Sequence, residues 1–190
     1  MELLNIFSAF GLSASAGLNA YIPLLTISLL AKFTHLINLR EPWNILTDWW
    51  IIGILVGLSL VEFFADKIPA VNHFNDVIQT FVRPAAGAVA FAASANVVTN
   101  VHPVLAMGLG LLIAGGVHVA KAGLLRPAVT ATTGGTANVA VSMAEDFVSL
   151  LVSFLSVVIP VIIAAVIIII TAWIVFRMKH SREKDSQSVA

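Results

Sequence analysis

The chain has 190 residues, 59% of them hydrophobic and 11% charged, with ten basic residues balancing ten acidic ones. Soluble domains carry about a quarter charged residues, so a mean hydropathy of +0.98 excludes a soluble globular domain. The zero net charge argues against a nucleic-acid partner, and the lack of cysteine excludes disulfides, thiolate metal sites and thiol catalysis.

At roughly 20 apolar residues per crossing, there is room for about six membrane segments. The chain reads as an all-α, polytopic transmembrane helical bundle with interrupted or re-entrant helices. Stretches poor in charge place the segments at 4–31, 49–68, 84–99, 104–121, 128–144 and 147–176. Residues 1–176 then form one transmembrane domain, and 177–190 a basic, disordered cytoplasmic tail.

The first segment opens without a basic n-region or an evident cleavage site, so it reads as a retained span. Its middle runs from Gly11 to Pro23 through a series of small residues and Asn19. Glycine and proline within a span free backbone groups that hydrocarbon cannot satisfy, so packed helices or a watery cavity must supply partners.

In the second segment only thirteen uncharged residues separate Asp48 from Glu62, about 20 Å of helix. Spanning a core of about 30 Å therefore pulls Glu62, and with it Asp66, into the membrane. The two share a helix face, and intramembrane carboxylates mark pathways, relays or paired sites. Pro69 ends this helix. Residues 71–83 resume as an amphipathic stretch, with Val71, Phe74, Val77, Ile78 and Phe81 on one side. Asn72, His73, Asp76, Gln79 and Arg83 lie on or near the other, a pattern that fits an interfacial helix.

Asn100-Val101-His102-Pro103 makes a turn between the third and fourth segments, since proline disfavours helix at the residue before it. The fourth ends with His118 and Lys121 on one face, on the same side of the membrane as Glu62 and Asp66. Arg83-Pro84-Ala85, followed by Asn96, is echoed by Arg126-Pro127-Ala128, followed by Asn138. Each proline is placed just inside a helix start, and repeats with interrupted helices are a transporter trait. The fifth segment is interrupted by Gly134-Gly135. By the crossing count Glu145-Asp146 falls on the opposite membrane face. The sixth is a long apolar run kinked at Pro160, read as lipid-facing scaffold.

Six crossings would place Lys67, Arg83, Lys121, Arg126, Arg177, Lys179, Arg182 and Lys184 on one side, and only Lys32 and Arg40 on the other. That bias sets both termini in the cytoplasm of a multi-pass inner-membrane protein.

Five words occur in order: Gly17-Leu18-Asn19-Ala20-Tyr21-Ile22-Pro23, Glu62-Phe63-Phe64-Ala65-Asp66-Lys67-Ile68-Pro69, Arg83-Pro84, His118-Val119-Ala120-Lys121-Ala122 and Glu145-Asp146. Together, over roughly residues 7–155, they make the chain resemble the bacterial membrane family called domain of unknown function 4126. The resemblance implies no activity, but it draws attention to these residues.

The reading that follows is a small transporter or lipid/solute flippase coupled to protons or cations. Glu62 and Asp66 would bind the coupling ion or a substrate cation, and His118 would relay protons. Arg83, Lys121 or Arg126 would hold an anionic headgroup. His73, Asp76, Asn19, Asn138, Glu145 and Asp146 complete the candidate substrate- or ion-binding set. No catalytic residue and no cofactor is assigned. The partners are membrane lipids and a small solute or lipid headgroup, with self-association left open. One alternative is a non-catalytic assembly subunit. A more distant one is a metal-dependent lipid enzyme using Glu62, Asp66, His73, Asp76 or His118 on Mg²⁺, Mn²⁺ or Zn²⁺.

Overall fold

The computed structural model describes residues 2–67, 69–95, 101–160 and 162, with side chains throughout except at 2–5 and 69–74. The apolar runs dictate helix, because backbone groups in hydrocarbon must bond within their own segment. Among the described residues there are six helices: α1 (Glu2–Leu18), α2 (Tyr21–Phe33), α3 (Trp49–Ala65), α4 (Pro69–Ala95), α5 (Pro103–Thr133) and α6 (Asn138–Pro160). A π turn at Lys121–Leu125 lies within α5, and a 3-10 turn at Trp43–Thr47 precedes α3. Three stretches are long and apolar enough to cross a membrane: Asn75–Ala95, Pro103–Thr133 and Asn138–Pro160. The apolar parts of α1, α2 and α3 are shorter.

The helix count agrees with the sequence reading, but the boundaries differ in three places. First, segment 4–31 is two helices meeting at Asn19–Ala20. Side-chain contacts fix the directions. Along α1, Ser13 meets Gly87 of α4 and Phe10 meets Phe91 edge to face, so α1 and α4 are antiparallel. Asn19 meets Asp146 and Ser15 meets Ser149, so α1 and α6 are antiparallel as well. After Tyr21 the chain heads back. Lys32 near the end of α2 donates to the Thr47 carbonyl, and Trp43 packs against the apolar cluster of Ala9, Phe91, Ala92, Ala95 and Ala106. Those residues mark the end where α1 and α5 begin and α4 finishes. The first two helices are therefore a hairpin with its tip at Asn19–Ala20, not one crossing. The start of α1 therefore lies at the same end as Lys32 and Arg40 rather than opposite them, while Arg177, Lys179, Arg182 and Lys184 lie outside the described residues.

Second, residues 71–83 are no separate interfacial helix. They are the first half of the 27-residue α4, and Pro84 lies inside that helix rather than at a start. The described polar residues Asn75, Gln79 and Arg83 are buried, while Val77, Ile78 and Phe81 are exposed. The polar face points inward, as an apolar solvent requires. Third, segment 128–144 is divided. Residues up to Thr133 continue α5, Gly134 and Gly135 turn at φ +62° and +87°, and α6 then begins. Glycine takes this left-handed backbone at no steric cost.

Residues 161 and 163–190, including the basic tail, and Asn96 of the echoed motif lie outside the described residues.

α1, α4 and α5 pack closely on one another. Gly87 and Gly110 let the backbones of α4 and α5 meet: a Cβ on Gly110 would stand 2.3 Å from the Gly87 carbonyl oxygen. The Ser13 hydroxyl lies within hydrogen-bonding distance of both glycine carbonyls, at 3.1 and 2.8 Å. Small residues packed this way replace the hydrophobic driving force that lipid removes. Ala16, Ala86, Ala90, Ala93 and Ala114 extend the same interior.

Candidate functional site

Each helix carries a narrow inward face that changes character toward one end of the bundle. On α3 the buried positions are Ile52, Leu55 and Glu62, with Asp66 one turn further on. The buried face of α4 comprises Asn75, Gln79 and Arg83, then alanines. For α5 it comprises Ala106, Gly110, Ala114 and His118, then Lys121. Along α6 the sequence is Ser142, Glu145, Ser149 and Ser153. The polar ends converge on the tip of the α1–α2 hairpin. Arg83 lies eight residues into the Asn75–Ala95 span, about 12 Å of helix, and Glu145 lies about 10 Å along α6. Both estimates place the charges well inside the bundle.

The charges form one network. Glu62 Oε1 accepts from Arg83 Nη2 at 2.8 Å and from its Nε at 3.3 Å, with both side chains fully buried. Asp66 Oδ2 is 3.3 Å from Arg126 Nη2 and 3.7 Å from Arg83 Nη2, so the two arginines of the echoed motif meet on one carboxylate. Asp66 also accepts from Asn75 at 2.8 Å and from Ser142 at 3.4 Å. Arg126 donates to both oxygens of Asp76 at 2.9 and 3.0 Å, and reaches Glu145 at 3.3 Å. Lys121 pairs with Glu145 at 2.7 Å, and Lys67 lies 3.7 Å from Asp146.

The same side chains complete the broken hairpin tip. Lys121 donates to the Leu18 carbonyl at the end of α1, and Glu62 Oε2 accepts from the Ala20 amide. Asn19 Oδ1 accepts from the Tyr21 and Ile22 amides while its Nδ2 donates to Asp146. The signs suit helix ends: a cation at the carbonyl end of α1, an anion at the amide start of α2.

His118 is held neutral by its partners. Arg83 Nη1 lies 3.2 Å from His118 Nδ1, and a guanidinium can only donate, so Nδ1 accepts. On the other side Nε2 is 3.2 Å from the Thr80 hydroxyl, whose proton goes to the Asp76 carbonyl at 2.8 Å. Nε2 therefore carries the hydrogen.

A family profile described as Domain of unknown function (DUF4126) matches residues 6–180. The chain belongs to that family. No curated protein and no solved structure matches it. Since the match takes in α2 to α6 and α1 from residue 6, the charge network is built wholly within this DUF4126 domain.

Of the residues singled out from the sequence, the domain gathers Asn19, Glu62, Asp66, Asp76, Arg83, His118, Lys121, Arg126, Glu145 and Asp146 into one place. Glu145 and Asp146 do not lie on the opposite face from Glu62. They sit inside α6, and the glycine turn folds this helix back along the end of α5, onto Lys121 and Arg126. Asn138 stands apart, exchanging hydrogen bonds with Thr130 near that turn. The side chain of His73 lies outside the described ones. Asn75, Thr80 and Ser142 were missed, although Asn75, Gln79 and Arg83 at four-residue spacing trace one helix face. Nor does α6 only face lipid, since Ser149 and Ser153 bond to Ser15 of α1 at 2.8 and 2.7 Å. Among the described residues no three His, Asp or Glu side chains could hold a metal ion.

Proposed function

We propose that the chain is a small membrane transporter or lipid/solute flippase, coupled to protons or cations through its intramembrane carboxylates. One observation carries this reading: a buried network of opposite charges holds the freed backbone of an interrupted helix pair. Breaks of this kind, placed where charged groups meet, are how transporters build sites at membrane depth. Burying charges costs several kcal/mol per ion even when paired, and tight packing alone would hold this bundle at lower cost. Rearrangement of the ion pairs around the hairpin tip would open and close a path for a headgroup or small solute.

In this reading α3 to α6 cross the inner membrane and the α1–α2 hairpin dips in. Both termini face the cytoplasm, where Lys32, Arg40 and the tail's four basic residues favour that side, and the network lies nearer the outer face. An assembly subunit is the second reading, favoured by the fully buried Glu62–Arg83 pair, which could serve to fix helix register.

Native mass spectrometry of gently extracted protein, wild type beside Asp66→Asn, separates the two. A lipid or small anion retained by the wild type and lost from the variant is the expected result. A bare chain in both samples, or an obligate protein partner, would favour assembly.

A further inference from the structure

The geometry points to Asp146 as the carboxylate that carries the coupling ion, and to a proton as that ion. This inference rests on the transport reading but departs from Glu62 and Asp66 as the carriers. Five carboxylates (Glu62, Asp66, Asp76, Glu145 and Asp146) share the described network with four cations, Lys67, Arg83, Lys121 and Arg126. His118 adds no charge, because its two ring nitrogens are committed as acceptor and donor. One negative charge is therefore in excess, in a setting where an uncompensated ion is expensive.

The contacts locate that excess. Glu62 has a guanidinium at 2.8 Å, Asp76 one at 2.9 Å and Glu145 an ammonium at 2.7 Å. Asp66 has two guanidinium groups and two neutral donors. Asp76 is also 26% exposed and can draw on water. Asp146 alone among the five has no hydrogen bond from a charged group. Its Oδ1 accepts from the Asn19 amide, while its Oδ2 is buried without a hydrogen-bond partner. The nearest cation, Lys67, is 3.7 Å away and is engaged elsewhere. Its ammonium donates to the Phe63 carbonyl at 2.8 Å and sits 3.0 Å from the centre of the Phe63 ring. Asp66 and Lys121 act on Asp146 at longer range with opposite signs.

A proton delivered by water beside the partly exposed Lys67 bonds to Oδ2 and leaves the carboxyl neutral. Its release regenerates the carboxylate, and no other bond need change. Asn19 transmits the event, since the same amide group binds Asp146 through Nδ2 and caps α2 through Oδ1. Beyond Asn19, the Ser15, Ser149 and Ser153 hydroxyls lie within hydrogen-bonding distance along the α1–α6 seam and continue the polar lane away from Lys67.

The test is infrared difference spectroscopy of the full chain in liposomes, titrated from acid to alkaline. The wild type should show the carbonyl band of one protonated buried carboxyl. That band should vanish in Asp146→Asn and persist in Glu62→Gln and Glu145→Gln. Should Asp146→Asn fail to fold, Lys67→Gln decides: losing the cation favours the neutral carboxyl, so the band should persist to higher pH. No band in the wild type, a band kept by Asp146→Asn, or an unmoved band in Lys67→Gln would overturn the assignment. So would sodium that removes the band at constant pH, since a metal cation would then be the ion. A band that maps to Glu62 defeats this inference and leaves the transport reading standing. Proteoliposomes that move nothing defeat the transport reading itself.

Discussion

The two ends of the bundle are held together by opposite means. Around Gly87 and Gly110, helices touch through backbone and the Ser13 hydroxyl, with no ionisable side chain among the described contacts of these two glycines. Around Glu62 and Arg83, helices meet through charges that had to leave water to get there. The first arrangement yields contact at little cost. The second is expensive to build and severe to break, because each buried ion depends on its partner. A bundle that could close throughout on alanine and glycine has instead placed nine formal charges around a broken hairpin. On the transport reading, that difference places function in the charged end and structure in the other.

The sharpest way to break this comparison is Arg83→Met. It strands Glu62 in a dry interior and should cost about 3–5 kcal/mol, read by thermal or denaturant unfolding in detergent. Adding Glu62→Gln to it should recover most of the loss, and no recovery would mean that the pair does not act as a unit. The other end should respond to volume rather than charge. Gly110→Ala drives a methyl into the Gly87 carbonyl and pushes α4 from α5, with an overpacking cost of about 1–3 kcal/mol. Ser13→Ala removes only interhelical hydrogen bonding, which in membranes averages about 0.6 kcal/mol per bond, so its unfolding midpoint should fall slightly. Val61→Leu on the exposed face of α3 should change stability by less than about 0.5 kcal/mol. An effect there as large as that of Gly110→Ala would show that this face is covered by protein rather than lipid.

Much of the site was legible because charge is rare in such a chain, so each ionisable residue within an apolar run stands out. Nine of the ten ionisable residues chosen on that ground converge, joined by Asn19, and Glu62 is buried. What misled was local. A proline after an arginine looked like a helix start at Pro84, yet the helix runs through it. Amphipathic spacing in 71–83 identified a polar face but not its direction, since period alone does not say whether lipid or water lies outside. The hairpin tip was visible as an interruption around Asn19. That the chain reverses there is settled by the packing of Trp43 against the cluster around Phe91 and Ala95, which joins residues distant in sequence. The misplaced Glu145-Asp146 pair followed from counting 128–144 as a crossing, although Gly134-Gly135 already offered a turn.

The most direct test of the central claim is proton movement in proteoliposomes holding a trapped pH-sensitive dye. Wild-type protein should dissipate an imposed proton gradient faster than protein-free liposomes. Asp146→Asn, helical by circular dichroism, should return the rate to the protein-free level. A wild type no faster than empty liposomes, or a variant as fast as the wild type, would contradict the account and leave the charged network as a structural device.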